Sequence, residues 1–226
     1  MTNPTFIKWV VFDAVGTLIF ADPPAHMAYH RIGQRHGSSI TPPQAAQRFR
    51  EAGAAAPQAL QTSPAREREF WQSLVSIVLP DVVDQEACFD DLWQHFAAPT
   101  SWGVYADVEE TLELLQSRGI QVAIASNFDE RLHAVCEGHP ELRGIATRFI
   151  SSEVGWKKPS GEFFAAIIHR LAVNPEQILM VGDDDAADIK SALAAGLRAL
   201  HINRSGTPTG HSITTLTELP LLTPAS

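Results

Sequence analysis

The chain has 226 residues, of which 45% are hydrophobic and 19% are charged, and its formal net charge is −9. An acidic chain without a Lys/Arg cluster argues against a nucleic-acid partner, and the distant Cys88 and Cys136 exclude a disulfide framework or a zinc site. No stretch approaches the roughly 20 apolar residues of a membrane span, and the N-terminal apolar run is too short for a signal segment. We therefore expect a cytoplasmic protein with no membrane partner.

Strands and helices alternate over most of the chain. Five apolar runs predict strands, at Ile7–Phe12, Ile120–Ala125, Arg148–Ser151, Ile178–Val181 and Ala199–Ile202. Helical patterns separate or follow the last four, at Glu109–Ser117, Glu130–Cys136, Gly161–Leu171 and Ala186–Ala195. This alternation predicts an α/β fold with a doubly wound parallel sheet and a Rossmann-like core.

One segment breaks the alternation directly after the first strand. Four successive helices are predicted there, at Pro23–His36, Pro42–Ala54, Ala65–Leu79 and Gln85–Ala97. We therefore expect residues 21–98 to form an inserted helical cap, a lid over a core made of residues 1–20 and 99–226. The last segment, about residues 205–226, is rich in Thr, Pro and Ser, and we expect it to wrap the surface.

Two acidic segments each follow an apolar strand. Asp13 comes directly after the first predicted strand, and Asp183 and Asp188 follow the fourth. Ligands bind at the carboxyl edge of open α/β sheets, so we expect these three side chains to converge there if the strands are neighbours. Clustered carboxylates repel one another unless a cation lies among them, and oxygen ligands of this kind suit Mg²⁺.

Four short motifs occur in order along the chain. They are FDAVGTL from Phe12, SNFDERL from Ser126, the Lys158-Pro159 pair and VGDDDAAD from Val181. In these motifs the chain resembles the haloacid dehalogenase-like hydrolase superfamily. It looks most like subfamily IA, which carries a helical cap between the first two motifs, and within it the branch of the REG-2-like and domain-containing-3 hydrolases.

The resemblance implies a role for each motif. Asp13 would be the nucleophile and form an aspartyl-phosphate, with Thr17 hydrogen-bonding nearby. Ser126 would hold a phosphoryl oxygen, Asn127 would contact the substrate, and the Lys158 ammonium would balance the charge of Asp13 and the phosphoryl group. The metal ligands would be Asp13, Asp183, Asp188 and the main-chain carbonyl of Val15.

The residues themselves leave simpler interpretations open. Ser126 or Asn127 could cap the following helix, with Asp129 in a capping box. Lys158 could be a solvated loop residue. Asp184 and Asp185 could be metal ligands or only acids that suit a helix N-terminus.

Val15 departs from the phosphatase pattern, which has a second Asp two residues after the nucleophile. That Asp protonates the leaving group and then activates water, an effect typically worth about 10²–10⁴-fold in rate. Dehalogenases of the superfamily also lack it and need no metal, but they carry a non-acidic residue at the position of Asp183. The arginines Arg31, Arg35 and Arg48 could bind a carboxylate substrate or form a solvated helix face.

We therefore expect a Mg²⁺-dependent hydrolase acting on a small phosphorylated metabolite. It should favour acyl or aryl phosphates, whose leaving groups depart without a proton. A 2-haloacid dehalogenase is one alternative, and a phospho-ligand-binding or interaction protein with little turnover is another. The sequence indicates neither the substrate nor the oligomeric state.

Overall fold

A six-stranded parallel sheet forms the centre of the fold, which a computed structural model describes for residues 6–55, 59–204, 206 and 212–219. Its strands lie in the order β5-β4-β1-β6-β7-β8. Two more strands, β2 and β3, form an antiparallel pair outside the sheet. The strands are β1 (Trp9–Phe12), β2 (Ile19–Ala21), β3 (Trp102–Val104), β4 (Gln121–Ser126), β5 (Thr147–Ile150), β6 (Ile178–Gly182), β7 (Arg198–Ile202) and β8 (Ser212–Ile213).

Helices cover the sheet and fill the segment between β2 and β3. That segment holds α1 (Ala25–Arg35), α2 (Pro42–Ala55), α3 (Pro64–Val78) and α4 (Gln85–Ala97). The other helices are α5 (Val108–Ser117), α6 (Arg131–Gly138), α7 (Pro140–Arg143), α8 (Ser151–Val154), α9 (Gly161–Leu171) and α10 (Ser191–Ala194). A π-helical turn, Asp185–Lys190, precedes α10.

The predicted α/β fold is confirmed, and each of the five predicted strands lies within two residues of an observed one. The short strands β2, β3 and β8 were not predicted, because two or three residues carry no readable periodicity. The prediction of a regular helix over Ala186–Ala195 is wrong in its first half. There the amide of Ile189 donates to the carbonyl of Asp184 at 3.3 Å, which is the wider spacing of a π-turn.

The final segment does not simply wrap the surface. Residues 205, 207–211 and 220–226 lie outside the described part. Within the described part, β8 extends the sheet, and Ile213, Leu216 and Leu219 are buried in the core. The apolar residues in this Thr-rich stretch explain the difference, since each loses its contact with water by packing against the sheet.

Apolar side chains cover both faces of the sheet because successive residues of a strand point to opposite sides. Val10 and Phe12 belong to one buried cluster, and Val11 belongs to the cluster on the other face. Cys136 lies in the first cluster, and both Cys136 and Cys88 are buried free thiols, as expected for packing residues. Strands buried on both faces are typical of a parallel sheet between helices.

Helices α1 to α4 pack around a third apolar cluster of their own, which includes Tyr29, Leu74 and Phe89. The chain enters this helical segment through β2 and leaves it through β3, and Ile19 lies opposite Val104 in that pair. The two connections therefore run side by side next to the loop that follows Asp13. The boundaries at residues 20 and 98 stay a prediction. Within the described residues, no helix combines the length and apolar character needed to cross a membrane.

Candidate active site

The sheet order brings three of the predicted site segments to one edge. Strand β1 lies between β4 and β6, with Phe12 paired to Ile124 on one side and to Val181 on the other. Asp13 follows β1, Ser126 ends β4, and Asp183 follows β6, so all three lie at the carboxyl edge of adjacent parallel strands. This is the edge at which open α/β sheets bind ligands.

The acids Asp13, Asp183 and Asp188 meet at this edge. One carboxylate oxygen from each lies within 4.8 Å of the others. Asp13 and Asp188 are buried, at 7% and 1% exposure, whereas Asp183 is exposed. Three oxygen ligands at this spacing can hold one hard cation.

Two glycines allow the acids to come this close. Gly16 has φ +90°, and a Cβ at that position would collide with the carboxylate of Asp183. A Cβ on Gly182 would collide with the carboxylate of Asp188. Any other residue at Gly16 would be strained by its backbone as well as by the contact.

Lys158 is the cation of the site and is 4% exposed. Its Nζ donates to Oδ1 of Asp13 at 2.7 Å, to Oδ1 of Asp188 at 2.6 Å and to the carbonyl of Ala125 at 2.8 Å. All three ammonium protons therefore have acceptors, which a buried charge requires. The alternative that Lys158 is a solvated loop residue is wrong.

The electrostatics of the cluster favour an additional positive charge. Burial raises the pKa of Asp13 to about 7, with the nearby Asp188 adding to the rise and Lys158 opposing it. Burial and Asp188 also raise the pKa of Asp183. Burial opposes the charged form of Lys158, but Asp13 and Asp188 together raise its pKa. Three carboxylates against one ammonium leave an excess of negative charge when all are ionised.

Asn127 holds the backbone of Lys158 in place. Its Nδ2 donates to the carbonyl of Lys158 at 2.9 Å, and its Oδ1 accepts from the amide of Lys158 at 2.8 Å. Asn127 also lines the cavity in front of the carboxylates, together with Ser126. Its side-chain amide thus fixes the Lys158 backbone, a role that the sequence did not indicate, and its contact with substrate stays a prediction.

Thr17 lies away from the cavity that the other predicted phosphate-binding residues line. It is fully buried, its carbonyl accepts from Nε of Arg204 at 3.1 Å, and it does not line the cavity in front of the carboxylates. Its hydroxyl has no hydrogen-bond partner among the described residues. The predicted hydrogen bond of Thr17 at the phosphate stays a prediction that this placement does not support.

Asp184 and Asp185 serve the turn after β6. Oδ1 of Asp184 accepts from the amides of Ala186 and Ala187 at 2.8 Å, which is helix-capping geometry. Asp185 is exposed and pairs with Lys190 at 2.6 Å. These contacts fit the interpretation of Asp184 and Asp185 as acids that suit a helix N-terminus. Asp184 also borders the carboxylate cavity.

The capping box proposed around Asp129 is wrong. The N-cap residue Glu130 makes no side-chain capping hydrogen bond. Asp129 instead accepts at Oδ1 from the amide of Arg131 at 3.2 Å and pairs with the Arg131 side chain. Oδ1 of Asp129 accepts from Nε at 2.7 Å and Oδ2 accepts from Nη2 at 2.6 Å. Burial of both side chains favours this bidentate pair, because a buried charge needs a hydrogen-bonded partner.

An aromatic cavity lies beside the carboxylates and was not predicted. It measures about 310 Å³ between the helical segment and the core. Val15 and Asn127 belong to its wall and also to the wall of the carboxylate cavity, so the two adjoin. Only the density of Trp and Phe in the helical segment could have indicated it, since helix packing decides which rings share one cavity.

Arg131 is the cation of this aromatic cavity, rather than Arg31, Arg35 or Arg48. Its guanidinium lies 3.6 Å from the ring centre of Trp93. Arg35 is exposed and near Asp91, and Arg48 donates to the carbonyl of Val78 at 3.2 Å. The three cap arginines therefore do not form a carboxylate-binding group at the site.

Comparison with known proteins agrees with this geometry. Residues 7–196 match the family described as haloacid dehalogenase-like hydrolase. The haloacid dehalogenase-like hydrolase domain-containing protein 3 of Danio rerio is 25% identical over 232 residues, covering 95% of each chain. The (S)-2-haloacid dehalogenase 4A of Burkholderia cepacia is 30% identical over 230 residues, covering 96% of this chain and 95% of the relative.

A solved structure shares the whole fold. The crystal structure of a HAD phosphatase from Thermococcus onnurineus superposes with a TM-score of 0.71 at 23% identity, covering 96% of this chain and 97% of that one. With the match to residues 7–196 and the relatives over most of the length, the chain belongs to the haloacid dehalogenase-like hydrolase family.

Proposed function

We propose that the protein is a Mg²⁺-dependent hydrolase of a small phosphorylated metabolite that reacts through an aspartyl-phosphate on Asp13. The observation that carries this is the meeting of Asp13, Asp183 and Asp188 within 4.8 Å, beside a fully hydrogen-bonded Lys158. Membership of a hydrolase family supports the reaction class. The acidic net charge and the small cavities suit a metabolite rather than a nucleic acid as partner.

The residues present fit a magnesium ion. Its ligands would be Asp13, Asp183, Asp188 and the main-chain carbonyl of Val15, an all-oxygen set of the kind Mg²⁺ prefers. Burial, with repulsion from Asp188 adding to it, raises the pKa of Asp13 and of Asp183, so their ionised forms are costly without a nearby cation. When bound, the ion would offset that charge and polarise the phosphoryl group as a Lewis acid.

The reaction follows from the positions of the side chains. An oxygen of Asp13 attacks phosphorus, the new O–P bond forms, and the bond from phosphorus to the leaving group breaks with its electron pair. Lys158 stabilises the charge on the reacting groups, and Ser126 lies where a hydroxyl could donate to a phosphoryl oxygen. Water then attacks phosphorus, which releases phosphate and regenerates the Asp13 carboxylate.

Val15 restricts the substrates that can react quickly. It lines both cavities and is 39% exposed, but its side chain transfers no proton. Other acids near the loop are engaged elsewhere, Asp129 with Arg131 and Asp185 with Lys190. Leaving groups that depart as stable anions, such as carboxylates or phenolates, are therefore favoured.

A 2-haloacid dehalogenase is the second candidate. Val15 and the 30% identity to the dehalogenase of Burkholderia cepacia favour it. Two observations weigh against it. Asp183 belongs to the carboxylate cluster, and the guanidinium of Arg131, the cation among the described residues that line the aromatic cavity, is already paired with Asp129.

One experiment separates these candidates from a phospho-ligand-binding protein with little turnover. Acetyl phosphate, phenyl phosphate and 2-chloropropionate are each incubated with the protein, with Mg²⁺ or with EDTA. We expect Mg²⁺-dependent release of phosphate, lost in Asp13→Asn and kept in Asp185→Asn. Chloride release in EDTA would support the dehalogenase, and phosphate binding without turnover would support the binding protein.

A further inference from the structure

We propose that the aromatic cavity binds the uncharged aromatic ring of the leaving group, so that the substrate is an aryl phosphate. This inference rests on the proposed phosphoryl transfer at Asp13. Its basis is the position, lining and charge of the cavity beside the nucleophile. Of the two leaving-group classes that Val15 allows, carboxylates and phenolates, the inference selects the phenolates.

The cavity adjoins the carboxylate cavity on the side of Val15 and Asn127. Val15, two residues after the nucleophile, forms part of its wall, as does Asn127, which holds the Lys158 loop. A phosphoryl group at Asp13 therefore has its ester oxygen directed past Val15 toward this space or toward solvent. A cavity of about 150 Å³ suffices for benzene, so about 310 Å³ gives room for two fused rings.

Aromatic rings dominate the lining. Eight of the fifteen described residues around the cavity are Trp, Phe or Tyr, and Trp71, Trp93 and Trp102 are among them. Rings of this kind favour planar aromatic groups through offset and edge-to-face contacts. Burial raises the pKa of Tyr29, so its phenol stays neutral at physiological pH. The lining therefore suits a flat apolar group better than a sugar or an amino acid.

The charge of the cavity favours a neutral group. Arg131 and Tyr29 are the titratable residues among the described ones that line it. Arg131 is held by both oxygens of Asp129, at 2.7 and 2.6 Å, and stacks on Trp93. Since the Asp129 carboxylate already balances the guanidinium, an anionic group in the cavity would gain little and lose its hydration.

The missing acid fits the same substrate. Attack by Asp13 breaks the bond between phosphorus and the aryl oxygen, and that oxygen leaves with the electron pair as a phenolate. The phenolate is stable enough to depart unprotonated, and proton transfer from water then gives the neutral aromatic alcohol that the cavity favours. An alkyl alcohol would need a proton during bond cleavage, and Val15 cannot provide one.

Calorimetric binding tests the cavity without any turnover. The unmodified protein is titrated with 1-naphthol and with the anionic 1-naphthoate. We expect 1-naphthol to bind at least tenfold more tightly than 1-naphthoate, Trp71→Leu to lower the 1-naphthol affinity roughly tenfold, and Ile77→Ala to leave it unchanged. Ile77 lies on the same helix α3 but is 55% exposed and does not line the cavity. Phe49→Leu replaces Trp71→Leu if circular dichroism shows a lost fold.

Kinetics then distinguish the failure of this inference from the failure of the proposed function. Acetyl phosphate has a leaving group too small to fill the cavity, so it reports on the carboxylate site alone. We expect a lower KM for 1-naphthyl phosphate than for acetyl phosphate, with the difference reduced in Trp71→Leu. Equal KM values with active turnover, or tighter binding of 1-naphthoate, would overturn the inference. No turnover of either phosphate would overturn the proposed function instead.

Discussion

The ammonium of Lys158 lies 2.7 Å from Oδ1 of Asp13, and both side chains are buried. This single contact does not neutralise the site. The same ammonium also donates to Oδ1 of Asp188 at 2.6 Å, and Asp183 lies beside them as a third carboxylate. The protein therefore holds Asp13 in an environment in which the ionised carboxylate is costly without a further cation.

Stability of the metal-free protein should fall as the pH rises. The pKa of Asp13 is raised from 3.8 to about 7, so between these values the folded state binds more protons than the unfolded state. Unfolding free energy then decreases across this range. Denaturant unfolding in EDTA from pH 4 to 8 should show the decrease, and Asp13→Asn should flatten it. A decrease that persists unchanged in Asp13→Asn would assign it to other groups.

Asp183 should contribute to magnesium affinity, and Asp185 should not. Asp183 shares the 4.8 Å cluster, whereas Asp185 is exposed and paired with Lys190. Fewer charged oxygen ligands weaken a hard-cation site, so we expect Asp183→Asn to lower Mg²⁺ affinity roughly tenfold or more. Calorimetry on wild type, Asp183→Asn and Asp185→Asn checks this. Equal affinities in all three would remove Asp183 from the metal site.

Asn127 should act as a positioning residue for Lys158. Its amide makes two hydrogen bonds to the Lys158 backbone, at 2.8 and 2.9 Å. Asn127→Ala should lower kcat for acetyl phosphate by roughly ten- to a hundredfold, because misplacing a catalytic group slows the reaction even when the group is present. The pH profile of kcat/KM should also shift, since Lys158 opposes the rise in the pKa of Asp13. A higher KM with an unchanged profile would instead indicate direct substrate binding.

The carboxylate site could be predicted because it follows from long apolar runs. Strands β1 and β6 are continuous hydrophobic segments, and a parallel sheet puts their carboxyl ends at one edge. The acids that follow them, Asp13 and Asp183, therefore converge once the two strands are neighbours, which the structure shows. Lys158 could be placed only by the family motif, since no periodicity connects a loop lysine with a distant strand.

The aromatic cavity and the Asp129–Arg131 pair could not be predicted. The cavity is formed by rings from separate helices, and a helix rotated by one residue would turn Trp71 or Trp93 elsewhere. Residues two apart do not face each other on a helix, so Asp129 and Arg131 were not an expected pair. They meet because Asp129 precedes the start of α6 at Arg131.

Glu67 should connect the helical segment to the loop that contains Lys157 and Lys158. Its carboxylate accepts from Nζ of Lys157 at 2.6 Å and from the hydroxyl of Thr62 at 2.5 Å, and Glu67 is 4% exposed. Lys157 is the neighbour of Lys158 in that loop, and its amide donates to the carbonyl of Leu60 at 2.7 Å. These contacts connect α3 with the loop that contains Lys158.

Glu67→Gln should weaken that connection. Loss of the ion pair with the partly exposed Lys157 should cost about 1 kcal/mol, which lowers Tm by roughly 2–4 °C in a chain of this size. Glu69→Gln, on the exposed side of the same helix, is the matched control. Differential scanning calorimetry provides the comparison, and indistinguishable Tm values for the two variants would show that the pair contributes nothing.

Val15 should determine how strongly the rate depends on the leaving group. Val15 lines both cavities, and the phosphatase pattern that the chain resembles has its acid at this position. In wild type, aryl phosphates should therefore react much faster than alkyl phosphates. Val15→Asp should raise alkyl phosphate turnover by about tenfold or more, within the range typical of acid–base catalysis. The control is Val15→Asn, because Asn has nearly the same shape as Asp but no ionisable group. It should bring no such gain.

The outcome also depends on how the new carboxylate is held. Gly16 and Asp183 are in close approach beside position 15, so an added Asp would enter an already acidic cluster, and its pKa should rise in the way the pKa of Asp183 does. A raised pKa favours the protonated form that a general acid needs at neutral pH. Rates for phenyl, 4-nitrophenyl and ethyl phosphate, measured in wild type and both variants, give the dependence on the leaving group. If the wild-type rates for the three phosphates are equal and Val15→Asp does not raise the rate for ethyl phosphate, another group supplies the proton and Val15 does not limit the enzyme.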